Sequence, residues 1–375
     1  MSKLVPEIDP NGLLEYSVVF TDRSMNHMSQ AFQQVMRDIS SLLKQVYSAH
    51  AVALVPGGGT YGMEAVARQF ATGKRCLVIR NGWFSYRWSQ IFQAGSIPAD
   101  EIVLKARPVS NQRQAPFTPA PIDEVVAAIR EHKPDLVFAP HVETASGLLL
   151  PDDYLKTVAD AVHEVGGLFV LDCIASGALW VDMKATGVDI LISAPQKGWS
   201  ASPSCALVMF GETALRRMED TQSTSFAVDL RKWRDIMAAY ENGGHAYHAT
   251  LPTDALIRFR DAMEETRAQG FETVRANQIE LGARVRALLA RRGFGSVAAA
   301  GFEAPGVVVC YTNDEGVHSG RKFIEQGLQT AAGVPLKCDE PDGFKTFRLG
   351  LFGLDKLGNI DRTIEELEKA LERME

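Results

Sequence analysis

The sequence lacks most of what would tie a chain to a membrane, a nucleic acid or a disulfide framework. No apolar run approaches the roughly 20 residues that span a bilayer. The opening MSKLVPEIDPNGLLEYS has neither the basic start nor the apolar centre of a secretory signal, and the closing ERME matches no lipidation or peroxisomal address. Five cysteines, Cys76, Cys173, Cys205, Cys310 and Cys338, are scattered without a CxxC pair. That pattern argues against a disulfide scaffold or a zinc site and for a reducing, cytoplasmic setting. Lys and Arg total 39 against 46 acidic residues, a net charge of -7, with no basic cluster of the kind that tracks phosphate backbones. The expectation is a soluble protein with no metal and with neither nucleic acid nor membrane as partner.

What is present is ordinary globular material. The 375 residues are 46% hydrophobic and 23% charged, enough for a large core and, by length, for one large and one smaller domain. From about residue 50 to 210, apolar runs alternate with amphipathic stretches: VALV at 52–55, LVIR at 77–80, DLVFAP at 135–140, LFVLD at 168–172, VDILISA at 188–194 and ALVMF at 206–210. Helix-like segments lie between them, as over Asp123 to His132 and Asp153 to Val165. Continuous apolar strands are buried on both faces, which predicts an α/β fold with a mainly parallel sheet covered by helices. A polar stretch ending in HAYHATLPTDA precedes long helical patterns near residue 254. The expected division is therefore an N-terminal arm (1–20), a large domain (21–253) and a smaller α+β domain (254–375). In the last of these a strand at 307–312, a helix at 318–330, a strand at 346–352 and a final helix are predicted, the final helix with Asn359 as N-cap and Asp361 in its first turn.

Three features carry chemistry. GGGTYGMEA, Gly57 to Ala65, puts three glycines ahead of a helix whose free amides could hold a phosphate. Its spacing is neither the GxGxxG of a dinucleotide fold nor a P-loop. Asp172 ends the strand LFVLD, at the strand end where α/β folds present side chains to ligands. Lys197 follows the next strand, in SAPQKGWSASP. Pyridoxal phosphate chemistry needs this pair: a lysine amine for the Schiff base and a carboxylate on the pyridinium nitrogen.

With these residues in place the chain resembles the class V aminotransferases, fold-type I pyridoxal phosphate enzymes, and within them the alanine-glyoxylate and serine-pyruvate group. The resemblance runs from about His27 to the C-terminus. It implies a fold-type I transferase with a seven-stranded, mainly parallel sheet in the large domain. It places Gly58, Gly59 and Thr60 on the cofactor phosphate, and Phe84 of NGWFSYRW, where the family usually has Trp, on the ring face. HVETASG supplies Thr144 to the ring, LDCIASG supplies Asp172, and SAPQKGWSASP supplies Gln196 beside Lys197. YHATLP is similar to a loop that reaches the neighbouring subunit's phosphate, which assigns Tyr247 and Thr250 to the other site of a homodimer. TFRLGLFG resembles the strand whose arginine binds the substrate carboxylate, here Arg348.

The implied reaction is a ping-pong transfer of an amino group from a small amino acid of alanine or serine type to a 2-oxo acid such as glyoxylate or pyruvate. Lys197 serves as covalent anchor and then as base. The chain departs from the family at its N-terminus. The Pro-Gly-Pro segment is replaced by EYSVVFTDRSMNHMSQAF, in which His27, Ser29 and Phe32 match the family signature and Met28 stands where it has Arg. Within the same fold the alternative is a cysteine desulfurase, selenocysteine lyase or related lyase using Cys338, ten residues before Arg348. Such enzymes carry His before the lysine and on the ring, where this chain has Gln196 and Phe84. A DNA-binding regulator of this fold needs a basic helix that is absent, and a dinucleotide oxidoreductase leaves Asp172 and Lys197 unexplained.

Overall fold

The structure, a computed structural model, describes residues 9–374, so residues 1–8 of the expected arm lie outside the described residues. Seven strands form the main sheet: β1 (Ala51–Pro56), β2 (Arg75–Arg80), β3 (Asp100–Lys105), β4 (Leu136–Pro140), β5 (Leu168–Asp172), β6 (Ile190–Ser193) and β7 (Cys205–Phe210). Their spatial order is β1-β7-β6-β5-β4-β2-β3. The neighbours from β6 to β3 pair in parallel, whereas β7 runs antiparallel to both β6 and β1. The central strands β4 to β7 are buried at every position, which is why they read as unbroken apolar runs. The edge strand β3 is only half-buried, and its Asp-Glu start hides it from a search for apolar runs.

Helices α1 (Gln30–Tyr47), α2 (Gly59–Val66), α3 (Trp83–Gly95), α4 (Ile122–His132) and α5 (Asp152–Glu164) cover the sheet, the last two within a residue or so of the predicted stretches. The polar segment after β7 also holds α6 (Leu230–Glu241), whose Leu230, Trp233, Ile236 and Met237 are buried in the main core. The long helical patterns are α7 (Thr253–Gln269) and α8 (Phe271–Arg291). Leu256, Phe259 and Met263 of α7 join the main core, while Val274, Leu281 and Val285 of α8 belong to a second one. That second core lies under a three-stranded sheet of β8 (Val307–Tyr311), β9 (Ala331–Ala332) and β10 (Thr346–Gly350), with β10 central and the final helix α9 (Ile360–Met374) packed alongside. Among the described residues no helix is long and apolar enough to cross a membrane.

Two local expectations fail for visible reasons. The single helix at 318–330 is two short pieces, Glu315–His318 and Arg321–Glu325, parted at Gly320 with φ +80°, a conformation that ends a helix. Asn359 precedes α9, but its side-chain amide donates back to the Asp355 carbonyl (2.9 Å).

Candidate active site

The parallel strands deliver their loops to one edge of the sheet. In the register of β4, β5 and β6, Pro140 and Ile192 lie opposite Asp172, so the loop carrying Thr144 and the loop carrying Lys197 both start beside Asp172. Glycine contacts hold these loops together. A Cβ on Gly198 would come within 2.0 Å of the Gly177 carbonyl oxygen, so the residue after Lys197 lies directly on the backbone of the turn that follows Asp172. A Cβ on Gly59 would meet the Ile174 side chain at 2.4 Å, which brings the start of α2 onto the same turn. Gly57 has φ +121°, a conformation suited to glycine where the chain leaves β1 for α2.

These loops enclose a cavity of about 160 Å³. Of the residues predicted from sequence, Gly59, Thr60, Phe84, Thr144, Asp172, Gln196 and Lys197 line it, together with Arg87, Val142 and Ile174. Gly58, Tyr247, Thr250 and Arg348 do not. Asp172 is buried and accepts one hydrogen bond, from the Ile174 amide (2.9 Å). Burial, reinforced by the negative Glu143, raises its pKa to about 7, against the pull of Arg87 and Lys197. Lys197 forms no ion pair among the described residues, and its amine sits 5.4 Å from the centre of the Phe352 ring. Burial first, then the positive charges of Arg348 and Arg87, lower its pKa, with Asp172 opposing. The buried Gln196 Oε1 has no hydrogen-bond partner.

The aromatic wall is positioned by a buried carboxylate. Gly82 at the N-cap of α3 has no capping side chain, and Glu143 takes that place. It accepts from the amides of Phe84 (3.2 Å) and Ser85 (2.9 Å) and from the Ser85 hydroxyl (2.7 Å). Sequence reasoning missed Arg87, one helical turn beyond Phe84. Its guanidinium carbon is 5.1 Å from the Phe84 ring centre, and it donates to Thr60 Oγ1 (2.9 Å). The spacing i, i+3 on a helix is the signal that could have found it.

Arg348 lies on β10, opposite Val309 and Ala331. Its Nε donates to the Ala332 carbonyl (2.8 Å), and its guanidinium carbon is 5.5 Å from the Phe84 ring centre. Tyr247 and Thr250 bond each other (3.2 Å) on an exposed loop after α6. Tyr247 is 55% exposed and its ring is 5.6 Å from His27. Ser29 caps α1 by accepting from the Phe32 amide (3.1 Å), Phe32 is buried, and Met28 is exposed. Cys338 is buried, its thiol directed at the Arg80 carbonyl (3.4 Å), and burial pushes its pKa up to about 12. That environment withholds the thiolate on which desulfurase chemistry depends.

The residues fit a pyridoxal phosphate: a buried carboxylate with spare acceptor capacity, a half-buried unpaired amine, an unpartnered amide oxygen and an aromatic wall, all on one cavity. Known proteins agree. The L-aspartate-glyoxylate aminotransferase of Paracoccus denitrificans (strain Pd 1222) is 27% identical over 267 residues, covering 70% of this chain and 64% of that protein. The alanine-glyoxylate aminotransferase of Callithrix jacchus is 25% identical over 359 residues, covering 93% of this chain and 82% of that one. Among solved structures, the alanine-glyoxylate aminotransferase of Nostoc sp. shares the fold with a TM-score of 0.75 at 22% identity, over 92% of this chain and 88% of that one. The family pattern described as "Aminotransferase class-V" matches residues 13–333, and the chain belongs to this family of pyridoxal phosphate enzymes.

Proposed function

We propose that the protein is a pyridoxal phosphate-dependent aminotransferase that moves an amino group from a small amino acid of alanine or serine type to a 2-oxo acid such as glyoxylate or pyruvate. The observation that carries this reading is Asp172 and Lys197 on one buried cavity, the carboxyl with its pKa raised and the amine with its pKa lowered. All three of the proteins compared above are named for glyoxylate, which supports an acceptor of that size.

When bound, the cofactor supplies an electron-withdrawing ring that stabilises charge developing at the substrate Cα. Lys197 anchors it and, once free, is the base for the Cα proton, a role suited to an amine whose pKa is already depressed. Asp172 holds the pyridinium nitrogen protonated. Phe84 and Thr144 wall the ring, Gln196 meets its polar edge, and Gly58, Gly59 and Thr60 take the phosphate. Arg348 orients the substrate carboxylate with its planar fork.

The reading includes a homodimer with shared sites. Tyr247 and Thr250 stand outside the cavity of their own chain, as residues serving a partner's site would. It also includes a division at 253/254 and a cytoplasmic setting, and α7, which follows that division in sequence, packs back on the large core while α8 packs on the small one. The purified protein should be yellow and should fix the cofactor on borohydride reduction. Lys197→Ala should lose both the fixed cofactor and transamination of alanine with glyoxylate. A colourless wild type that ignores added pyridoxal phosphate ends this reading.

A further inference from the structure

We infer that Arg87 is a positioning residue for the cofactor phosphate, acting through Thr60. The inference rests on the pyridoxal phosphate reading above and adds a residue that it does not use. Arg87 and Thr60 come from different helices, α3 and α2, and meet at the cavity that both line. The guanidinium Nη1 donates to Thr60 Oγ1 at 2.9 Å. A hydroxyl has one proton and two lone pairs, so an oxygen engaged as acceptor by arginine turns its own O–H away from that donor. At Thr60 this leaves the O–H free to donate to an anion at the N-terminus of α2, beside the Gly58 and Gly59 amides.

The second element is charge. The charged residues lining the cavity are Asp172, Lys197 and Arg87, and no carboxylate pairs with Arg87 among the described residues. Lys197 is committed to the cofactor aldehyde and Asp172 to the ring nitrogen, so Arg87 is the lining cation left for the phosphate's negative charge. Its orientation is fixed on its other side by the Phe84 ring, 5.1 Å away, which suits a planar guanidinium and not an ammonium.

The test separates phosphate from ring. Cofactor-free wild type, Arg87→Met and Arg87→Lys are titrated with pyridoxal phosphate and with pyridoxal, which forms the same linkage to Lys197 but has no phosphate. Arg87→Met should weaken pyridoxal phosphate binding by roughly 10- to 100-fold, the usual range for a lost hydrogen bond to a charged group, and pyridoxal binding by less than about twofold. Arg87→Lys should fall between, keeping the charge without the fork. Arg87→Met should cost little further in the Thr60→Val background if the arginine acts through the hydroxyl. Equal losses for the two compounds, or none, overturn the inference while leaving the cofactor reading intact. A wild type that forms no reducible linkage with either compound overturns that reading and this inference with it. Cofactor-free melting temperatures identify a variant that has failed to fold, and Arg87→Lys, the milder change, then carries the comparison.

Discussion

The two sides of the cleft are built differently. The cofactor side hangs on the ends of strands buried at every position, with neighbouring turns so close that a single Cβ at Gly198 or Gly59 would collide. The substrate side, as proposed, rests on one side chain of a three-stranded sheet, Arg348. Buried strand ends hold a side chain in one place because moving it means moving the sheet, and that rigidity suits a group that must stay bound through each turnover. Arg348 is tethered through Nε to the Ala332 carbonyl, which leaves the rest of its fork for a carboxylate. The family pattern also ends at residue 333, before Arg348.

The largest effect that separates the two sides is expected at Asp172. Asp172→Asn should lower kcat by roughly 10²- to 10³-fold, the scale for removing one preorganised electrostatic contact, with KM for the amino acid little changed. The same variant has a signature without cofactor. A carboxyl held at about 7 when folded and near 3.8 when unfolded contributes stability at low pH that is lost as pH rises through 7. Cofactor-free Asp172→Asn should therefore lose less stability than wild type between pH 4 and 7 in urea titrations. Parallel pH profiles would mean that burial does not raise the Asp172 pKa in the folded protein.

Arg348→Ala comes next and should behave in the opposite way. Truncating one partner of a buried charged contact costs enough to raise KM by about 100-fold for both amino acid and 2-oxo acid, with cofactor affinity unchanged. A variant that releases cofactor and keeps its KM would move Arg348 to the other side of the comparison. A smaller effect tests whether the site spans two chains. Mixed dimers of Lys197→Ala with Tyr247→Phe/Thr250→Val chains should recover activity, because one site then has Lys197 from one chain and the intact loop from its partner. Mixtures no more active than the two separate variants would assign the loop to its own chain.

The same contrast explains what the sequence makes legible. Asp172 and Lys197 are readable because an unbroken apolar run marks a buried strand, and the residue at its end has one place to go. Six of the seven strands of the main sheet, with α4, α5, β8 and β10, follow from that patterning, whereas β3 does not, because an edge strand is half-exposed and its composition is mixed. Gly320 parts the helix expected over 318–330 into two short pieces, the second ending at Glu325. Arg87 was hidden because the resemblance marks Phe84 and not the residue one helical turn beyond it, whose bond to Thr60 exists only once α2 and α3 have met. Glu143 is of the same kind: its task at the head of α3, 59 positions from Phe84, exists only once the chain has folded.

The smallest expected effect belongs to His141, in the same segment as Thr144 but off the cavity. Its ring is buried, its Nδ1 lies 2.7 Å from the Ser176 hydroxyl, and burial, with Arg275's charge adding to it, lowers its pKa to about 3. The unfolded chain takes up a proton here below about 6.5, while the folded protein refuses it until near 3, so stability falls as pH drops through that window. The slope for one such group is at most about 1.4 kcal/mol per pH unit. His141→Gln keeps a partner for Ser176 and removes the titration. It should cost stability at pH 7, where packing is disturbed, and recover ground on wild type by pH 4.5, with kcat unchanged. A stability difference that stays constant across that range would show that His141 takes up its proton while still folded, and that the packing of its loop against Ser176 is looser than that of the Asp172 turn beside it.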